Sequence, residues 1–314
     1  VIRKRRQKTK RVHLVLLVNE KAHNYDARLV DQLVTMIKAA EGNYSVLRPG
    51  SAQELADAAR AACGLRRPGR LLPAQFAKRG PVTGLVACGG DGTFNLIARA
   101  ALRTELPVGV IPMGRFNNIA RSLYKVCDHS LCFDKIMERT YRMIDVGMVA
   151  GQPFFGALGF GFTKELLLEL ENRKQPWTSI GWSRLASTAA KAVKRRKTVI
   201  TIDAFRVELT PAILNIHLLP YALGLPWSQA SIPDDGLAEV IFDVNATDKE
   251  QATLISGLSR NKYVYGTGIR LYRGQNVMLQ PTRDRLMYLD GELIEVPSNL
   301  LDIQVHQQKL KVFL

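Results

Sequence analysis

In the first part of the chain, short β-branched apolar runs alternate with stretches whose apolar residues recur at helical spacing. His13 to Val18 predicts a strand, and Ala27 to Glu41, closed by Gly42, predicts a helix. Tyr44 to Leu47 predicts a second strand. Ser51-Ala52-Gln53-Glu54 follows, where serine and glutamate can satisfy each other's backbone amides and open a helix to about Cys63. Arg66 to Gly80, with Pro68 and Pro73, reads as a connection. Gly84 to Cys88 and Val108 to Ile111 are two more strands, each feeding a helix, so this region predicts an α/β domain with a parallel, doubly wound sheet. After Tyr141 the pattern changes. Strands at Arg142 to Val149 and Pro153 to Leu158, then Thr198 to Asp203, Ala238 to Val244, Asn276 to Leu279 and Leu286 to Leu289, have helical patterns between them only at Ser183 to Lys197 and Asp248 to Ser259. That order predicts a mainly antiparallel, β-rich domain.

The length of 314 residues exceeds what one ordinary core fills and fits two domains with a cleft. The expected division is a basic tail over 1–11, an α/β domain over 12–143 and a β-rich domain over 144–301. A balance of 44 Lys and Arg against 28 Asp and Glu gives a formal charge of +16, which favours phosphates, nucleic acid or anionic lipid without choosing among them. Nucleic acid ranks low, because no recognised module or interleaved aromatic platform is present. Cys63, Cys88, Cys127 and Cys132 lack metal or redox spacing and read as small buried residues of a reducing compartment. No apolar run reaches the ~18 residues that span a bilayer, and no signal-peptide pattern is visible. The expectation is a cytoplasmic protein with membrane contact, at the inner face, that is peripheral. The run Arg3-Lys4-Arg5-Arg6 reads as a solvated tail.

Candidate chemistry begins at Val86 to Asn95, where an apolar strand ends in Gly89-Gly90-Asp91-Gly92-Thr93 and becomes a helix. Glycines let backbone approach a phosphate, and the helix start offers amide groups and a positive dipole end. Asp91 beside a phosphate asks for a cation. A glycine turn that merely caps a helix fits the same letters. The segment has neither the Lys-Ser/Thr of a Walker loop nor the Gly-x-Gly-x-x-Gly of a dinucleotide site.

Taken with Val110-Ile111-Pro112-Met113-Gly114-Arg115-Phe116-Asn117-Asn118-Ile119-Ala120-Arg121, this segment resembles the catalytic domain of diacylglycerol kinases, sphingosine kinases and their bacterial lipid-kinase relatives. NAD kinases share only the first piece. Pro233-Asp234-Asp235-Gly236-Leu237-Ala238-Glu239-Val240 and Leu289-Asp290-Gly291-Glu292 extend the likeness, which covers the chain from about Val12 onward. The resemblance implies an ATP- and Mg2+-dependent lipid kinase that binds nucleotide between its domains. It implies that Gly89, Gly90, Asp91, Gly92, Thr93, Phe94 and Asn95 wrap the nucleotide phosphates. It assigns a structural magnesium to Asp235 with the carbonyls of Ile232 and Leu237, and it makes Asp290 and Glu292 the carboxylate pair whose glutamate is general base for the lipid hydroxyl. It also implies that 302–314 returns to the first domain. Taken alone, Asp290-Gly291 is equally a hairpin turn.

The sequence departs from the family in places. Arg115 stands where a nucleotide-contacting hydroxyl is usual, and it either replaces that bond with a charge-assisted phosphate contact or blocks the pocket. Phe116 adds bulk, Asn118 lacks a carboxylate, and Asn19-Glu20-Lys21-Ala22-His23 replaces a Gly-ended loop. Asn215 to Gly224 forms an apolar wall read as core, in which His217 reads as a satisfied buried histidine. Trp177, Trp182, Arg184, Lys191, Lys194, Arg195, Arg196 and Lys197 suit a basic interfacial helix, with Arg184, Thr188, Lys191 and Arg195 on one stripe, and equally a solvated face. The acceptor is expected to be diacylglycerol or a related lipid. The competing expectation is a pseudokinase, a phosphate- or lipid-binding regulator that has lost turnover through Arg115, Phe116 and Asn118.

Overall fold

The computed structural model describes residues 12–65, 72, 76–172, 179–260, 268–280 and 285–314. The basic tail, most of the Arg66 to Gly80 connection and Trp177 fall outside the described residues. The chain forms two units. One takes the described residues of Val1–Arg115 with Asp128–Arg142 and Lys311–Leu314, and the other takes Phe116–Cys127 and Met143–Leu310.

In the first unit the order is β1 (His13–Val18), α1 (Ala27–Ala39), β2 (Asn43–Leu47), α2 (Ala52–Ala62), β3 (Gly84–Gly89), α3 (Asp91–Ala101) and β4 (Val108–Pro112). The chain leaves for α4 (Asn118–Tyr124) and returns for α5 (His129–Glu138). The strands are parallel in the order β2-β1-β3-β4. Every residue of β1, β3 and β4 is buried, as strands covered on both faces require. Helix α1 packs with α5, and α2 with α3, giving the predicted doubly wound sheet. Helix α1 stops before its predicted end because Glu41 adopts φ 53° and the amides of Glu41 and Gly42 turn back to the carbonyls of Lys38 and Ile37. At α2, the Ser51 hydroxyl accepts from the Glu54 amide at 3.2 Å, while the Glu54 carboxylate accepts from Gly50 and not from Ser51 itself.

The second unit contains β5 (Tyr141–Val149, its first two residues in the first unit), β6 (Gln152–Phe154), β7 (Ala157–Gly161), α6 (Phe162–Glu171), α7 (Ser179–Ala192), β8 (Thr198–Ile202), β9 (Phe205–Leu209) and β10 (Ile213–His217). Then come β11 (Tyr221–Ala222), β12 (Leu225–Pro226), β13 (Ala238–Asp243), α8 (Asp248–Leu258), β14 (Ile269–Gly274), β15 (Asn276–Gln280), β16 (Leu286–Leu289), β17 (Glu292–Glu295) and β18 (Leu301–Phe313). An antiparallel sheet runs β14-β13-β10-β7-β16-β17, and a second antiparallel ladder joins β18, β15, β8 and β9. Alternation along β10 sets the layers. Leu214 and Ile216 share a core with Ile200, Val277, Leu279 and Ile303 of the second ladder, while Ile213 faces a core built with Leu166, Leu185 and Ile255 of the three helices.

Three elements differ from expectation. Pro153 to Leu158 is two strands, because the chain turns at Phe155-Gly156 to present its amides to a distant carboxylate described below. Helix α6 was not anticipated, and it starts directly from β7 through Gly161 at φ 58°. Helix α7 starts at Ser179, a turn before its predicted span, and ends at Ala192. The last strand ends in the first unit, where Val312 pairs with Val108 of β4. The Phe313 ring there lies 2.7 Å from where a Cβ on Gly84 would stand.

Candidate active site

The first unit gathers three loops at the carboxyl ends of β1, β3 and β4. The strand order reverses between β1 and β3, the place where open α/β sheets bind ligands. Strand β3 ends at Gly89, and Gly90 is the N-cap of α3, so the cap residue itself offers no side chain to the amides of the helix start. Both glycines are dictated by space. A Cβ on Gly89 would stand 2.4 Å from the Thr93 hydroxyl, and one on Gly90 would stand 2.9 Å from the Gly114 Cα.

Hydrogen bonds stitch the three loops. The Met113 amide donates to the Gly89 carbonyl at 2.8 Å and the Asn24 amide to Met113. Asn24 Nδ2 donates to the Gly114 carbonyl at 2.8 Å and Asn19 Nδ2 to Thr93 Oγ1 at 3.1 Å. The loop after β1, which lacks the family's glycine, is shaped instead by Asn19, whose Oδ1 accepts from the Lys21 amide. Asn24 had no sequence signal of its own, although the switch-point rule would have pointed to the loop that carries it. Thr93 and Asn95 are buried, and Asp91 opens α3 half-buried.

The second segment is divided between the units. Gly114 and Arg115 close the first, and Phe116 opens the second. The Phe116 ring packs on the helical core, 3.1 Å from a Cβ position on Gly224. Asn117 takes a left-handed conformation, which asparagine tolerates. Buried Asn118 accepts the Gly224 amide at 2.8 Å. Phe116 and Asn118 therefore anchor the turn between β11 and β12, a role inside the second unit.

Asp290 and Gly291, at φ 50° and 101°, form the two-residue turn that joins β16 to β17 and brings Leu289 opposite Glu292. The Asp290 carboxylate is buried and accepts three backbone amides, from Phe155 and Gly156 at 2.7 Å and from Ala157 at 2.9 Å. Its own amide returns a bond to the Ala157 carbonyl. Glu292 stands exposed at the head of β17. Asp290 thus fixes the hairpin, and Glu292 is the member of the pair that solvent or substrate can reach.

Asp235, the one side chain of the expected magnesium site, already has partners. Asp235 Oδ2 carries the Arg273 guanidinium and its Oδ1 accepts the Leu237 amide. Among the described residues no three His, Cys, Asp or Glu side chains gather as metal ligands.

His217 is fully buried, with Nδ1 against the Leu219 carbonyl at 3.2 Å. Burial pulls its pKa down to about 4, so it stays neutral near pH 7. Its Nε2 has no protein partner, so only one of its nitrogens is satisfied. Arg195 does not belong to an interfacial stripe. It lies past the end of α7 and pairs at 3.1 Å with Asp243, which has no exposed surface. Arg184, Thr188 and Lys191 are exposed, and Trp182 packs partly buried on the helical core. No helix among the described residues is long and apolar enough to cross a membrane.

The family profile for the diacylglycerol kinase catalytic domain matches residues 13–149. A diacylglycerol kinase of Staphylococcus saprophyticus is 24% identical over 233 residues, covering 71% of this chain and 74% of the relative. One from Staphylococcus carnosus matches with the same identity and coverage. The crystal structure of a diacylglycerol kinase from Bacillus anthracis superposes with a TM-score of 0.72 at 16% identity, covering 98% of both chains. At that identity the likeness concerns the fold.

Proposed function

We propose that the chain, whose residues 13–149 match the diacylglycerol kinase catalytic domain and which resembles bacterial diacylglycerol kinases along 71% of its length, is a lipid kinase that transfers the γ-phosphoryl of ATP to the hydroxyl of diacylglycerol or a closely related lipid. The observation that carries this reading is the close approach of Gly90 to Gly114, which sets the start of α3, capped by a glycine with no side chain of its own, beside a second backbone loop. Such a surface suits the phosphates of a nucleotide.

Gly89 to Asn95 hold the phosphates through backbone amides and the Thr93 hydroxyl, and Arg115 adds a charge-assisted contact. Glu292 accepts the proton of the lipid hydroxyl as the new P–O bond forms and the bond to the ADP oxygen breaks. Asp290 is a positioning residue that fixes the turn carrying Glu292. Asp91 is the carboxylate of the loop that would hold a magnesium carried by the nucleotide, which would supply charge neutralisation at the phosphoryl group. The roles of Phe116 and Asn118 inside the second unit explain two of the departures without loss of turnover, which favours the kinase over the pseudokinase.

The test is transfer of labelled γ-phosphate from ATP with magnesium to a panel of diacylglycerols, other glycerolipids and sphingoid bases in anionic micelles. Labelled diacylglycerol that Glu292→Ala abolishes is the expected result. Nucleotide binding by folded protein without transfer to any lipid would establish the pseudokinase instead.

A further inference from the structure

The turn before β13 is held by an arginine in a place where the family resemblance calls for a metal. Strands β13 and β14 pair antiparallel with Glu239 directly opposite Arg273, so their side chains share one face of the sheet. Arg273 Nε donates to Glu239 Oε1 at 3.1 Å, and Nη2 of the same guanidinium reaches Asp235 Oδ2. Ser231 donates to the other Glu239 oxygen. The Glu239 side chain has no exposed surface, while Asp235 keeps 21% and Arg273 35%. One planar cation therefore bridges two carboxylates, one of them sealed in the protein.

The turn is gripped from its other side as well. The Asp145 amide donates to the Pro233 carbonyl at 2.7 Å. Its carboxylate accepts the amides of Gly236 at 2.6 Å and Gln308 at 2.7 Å. Gln307 donates through its side-chain amide to the Asp234 carbonyl at 3.2 Å. A divalent ion at Asp235 would have to displace the guanidinium from that carboxylate, disturbing the pair Arg273 makes with the buried Glu239.

We propose that Arg273 is the resident cation of this turn: it pairs with both Asp235 and Glu239 and orders Pro233 to Leu237, so that the β-rich unit needs no divalent metal to hold its shape. A metal exchanges with the medium, whereas a guanidinium delivered by strand register cannot be removed by a chelator.

Thermal unfolding of the full chain, without nucleotide or lipid, tests this in EDTA against millimolar magnesium chloride. The wild-type midpoint should be the same in both buffers. Arg273→Leu should unfold several degrees lower in both buffers, because Asp235 and the buried Glu239 lose the partner they share. A wild-type midpoint that rises with magnesium would overturn the proposal without recourse to any variant, as would an Arg273→Leu chain as stable as the wild type. With no ATP present, either result is independent of whether the chain transfers phosphate.

Discussion

Replacing Asp290 by asparagine separates the two carboxylates of the hairpin. The native Oδ1 accepts two amides and Oδ2 a third, all within 2.9 Å, in a residue only 7% exposed. Asparagine of the same shape keeps one acceptor oxygen, so the Gly156 and Ala157 amides retain a neutral bond, each weaker by ~0.5–1 kcal/mol without the charge. Its amide group then faces the Phe155 N–H, donor against donor, and a buried unsatisfied donor costs ~1–3 kcal/mol. The sum is roughly 3 kcal/mol, about 6–12 °C of melting temperature for a unit of this size. Glu292→Gln should leave stability within ~0.5 kcal/mol, since an exposed side chain away from such features rarely moves it further. Lipid phosphorylation should fall in both. Scanning calorimetry beside the labelled-phosphate assay reads the pair. An Asp290→Asn protein that melts with the wild type would refute the clamp, and one that melts lower with full activity would refute its positioning of Glu292.

A Gly90→Ala variant should lose nucleotide binding by isothermal titration, because its Cβ would meet the Gly114 backbone at 2.9 Å and no flexible side chain can yield there. Arg195→Ala removes the cation from Asp243, which also accepts the Ala212 and Ile213 amides at 2.6 Å. Urea unfolding should show a loss of ~2–3 kcal/mol, at the lower end for a buried pair because Arg195 itself is partly exposed. For His217 the ordinary value of 6.5 falls to about 4, so unfolding takes up a proton between them. Its contribution is intact above about pH 6.5 and drains as the pH drops toward 4, reaching ~2 kcal/mol at pH 5. The difference in stability slope between wild type and His217→Gln isolates that imidazole.

Local rules reached the α/β half almost entirely, because β1, β3 and β4 are uninterrupted apolar runs and the helix signals lie beside them. The Gly89 to Thr93 segment was legible for the same reason, since its strand, glycines and helix are contiguous. What failed was set by partners far along the chain. Pro153 to Leu158 alternates like one strand, yet Asp290 captures its middle amides from 134 residues away. Arg195 reads as a surface cation until Asp243 is placed beside it. Asp235 matches a metal-site motif, and only the β13–β14 register, which sets Arg273 opposite Glu239, brings the guanidinium within reach of it. Phe116 and Asn118 looked like damage to a nucleotide loop because their partner, Gly224, lies outside any local window.

The return of β18 has a consequence for the order in which the protein is made. The outer edge of β4 and the space beside Gly84 are completed by Val312 and Phe313, yet the whole of Met143–Leu310 is translated first. At typical elongation rates that interval is roughly ten to thirty seconds. During it the nascent first unit carries an open parallel edge and an unfilled core position while the loops after β1, β3 and β4 already exist. An unpaired edge of this kind invites strand addition by other chains. The first unit therefore finishes last, although it is synthesised first.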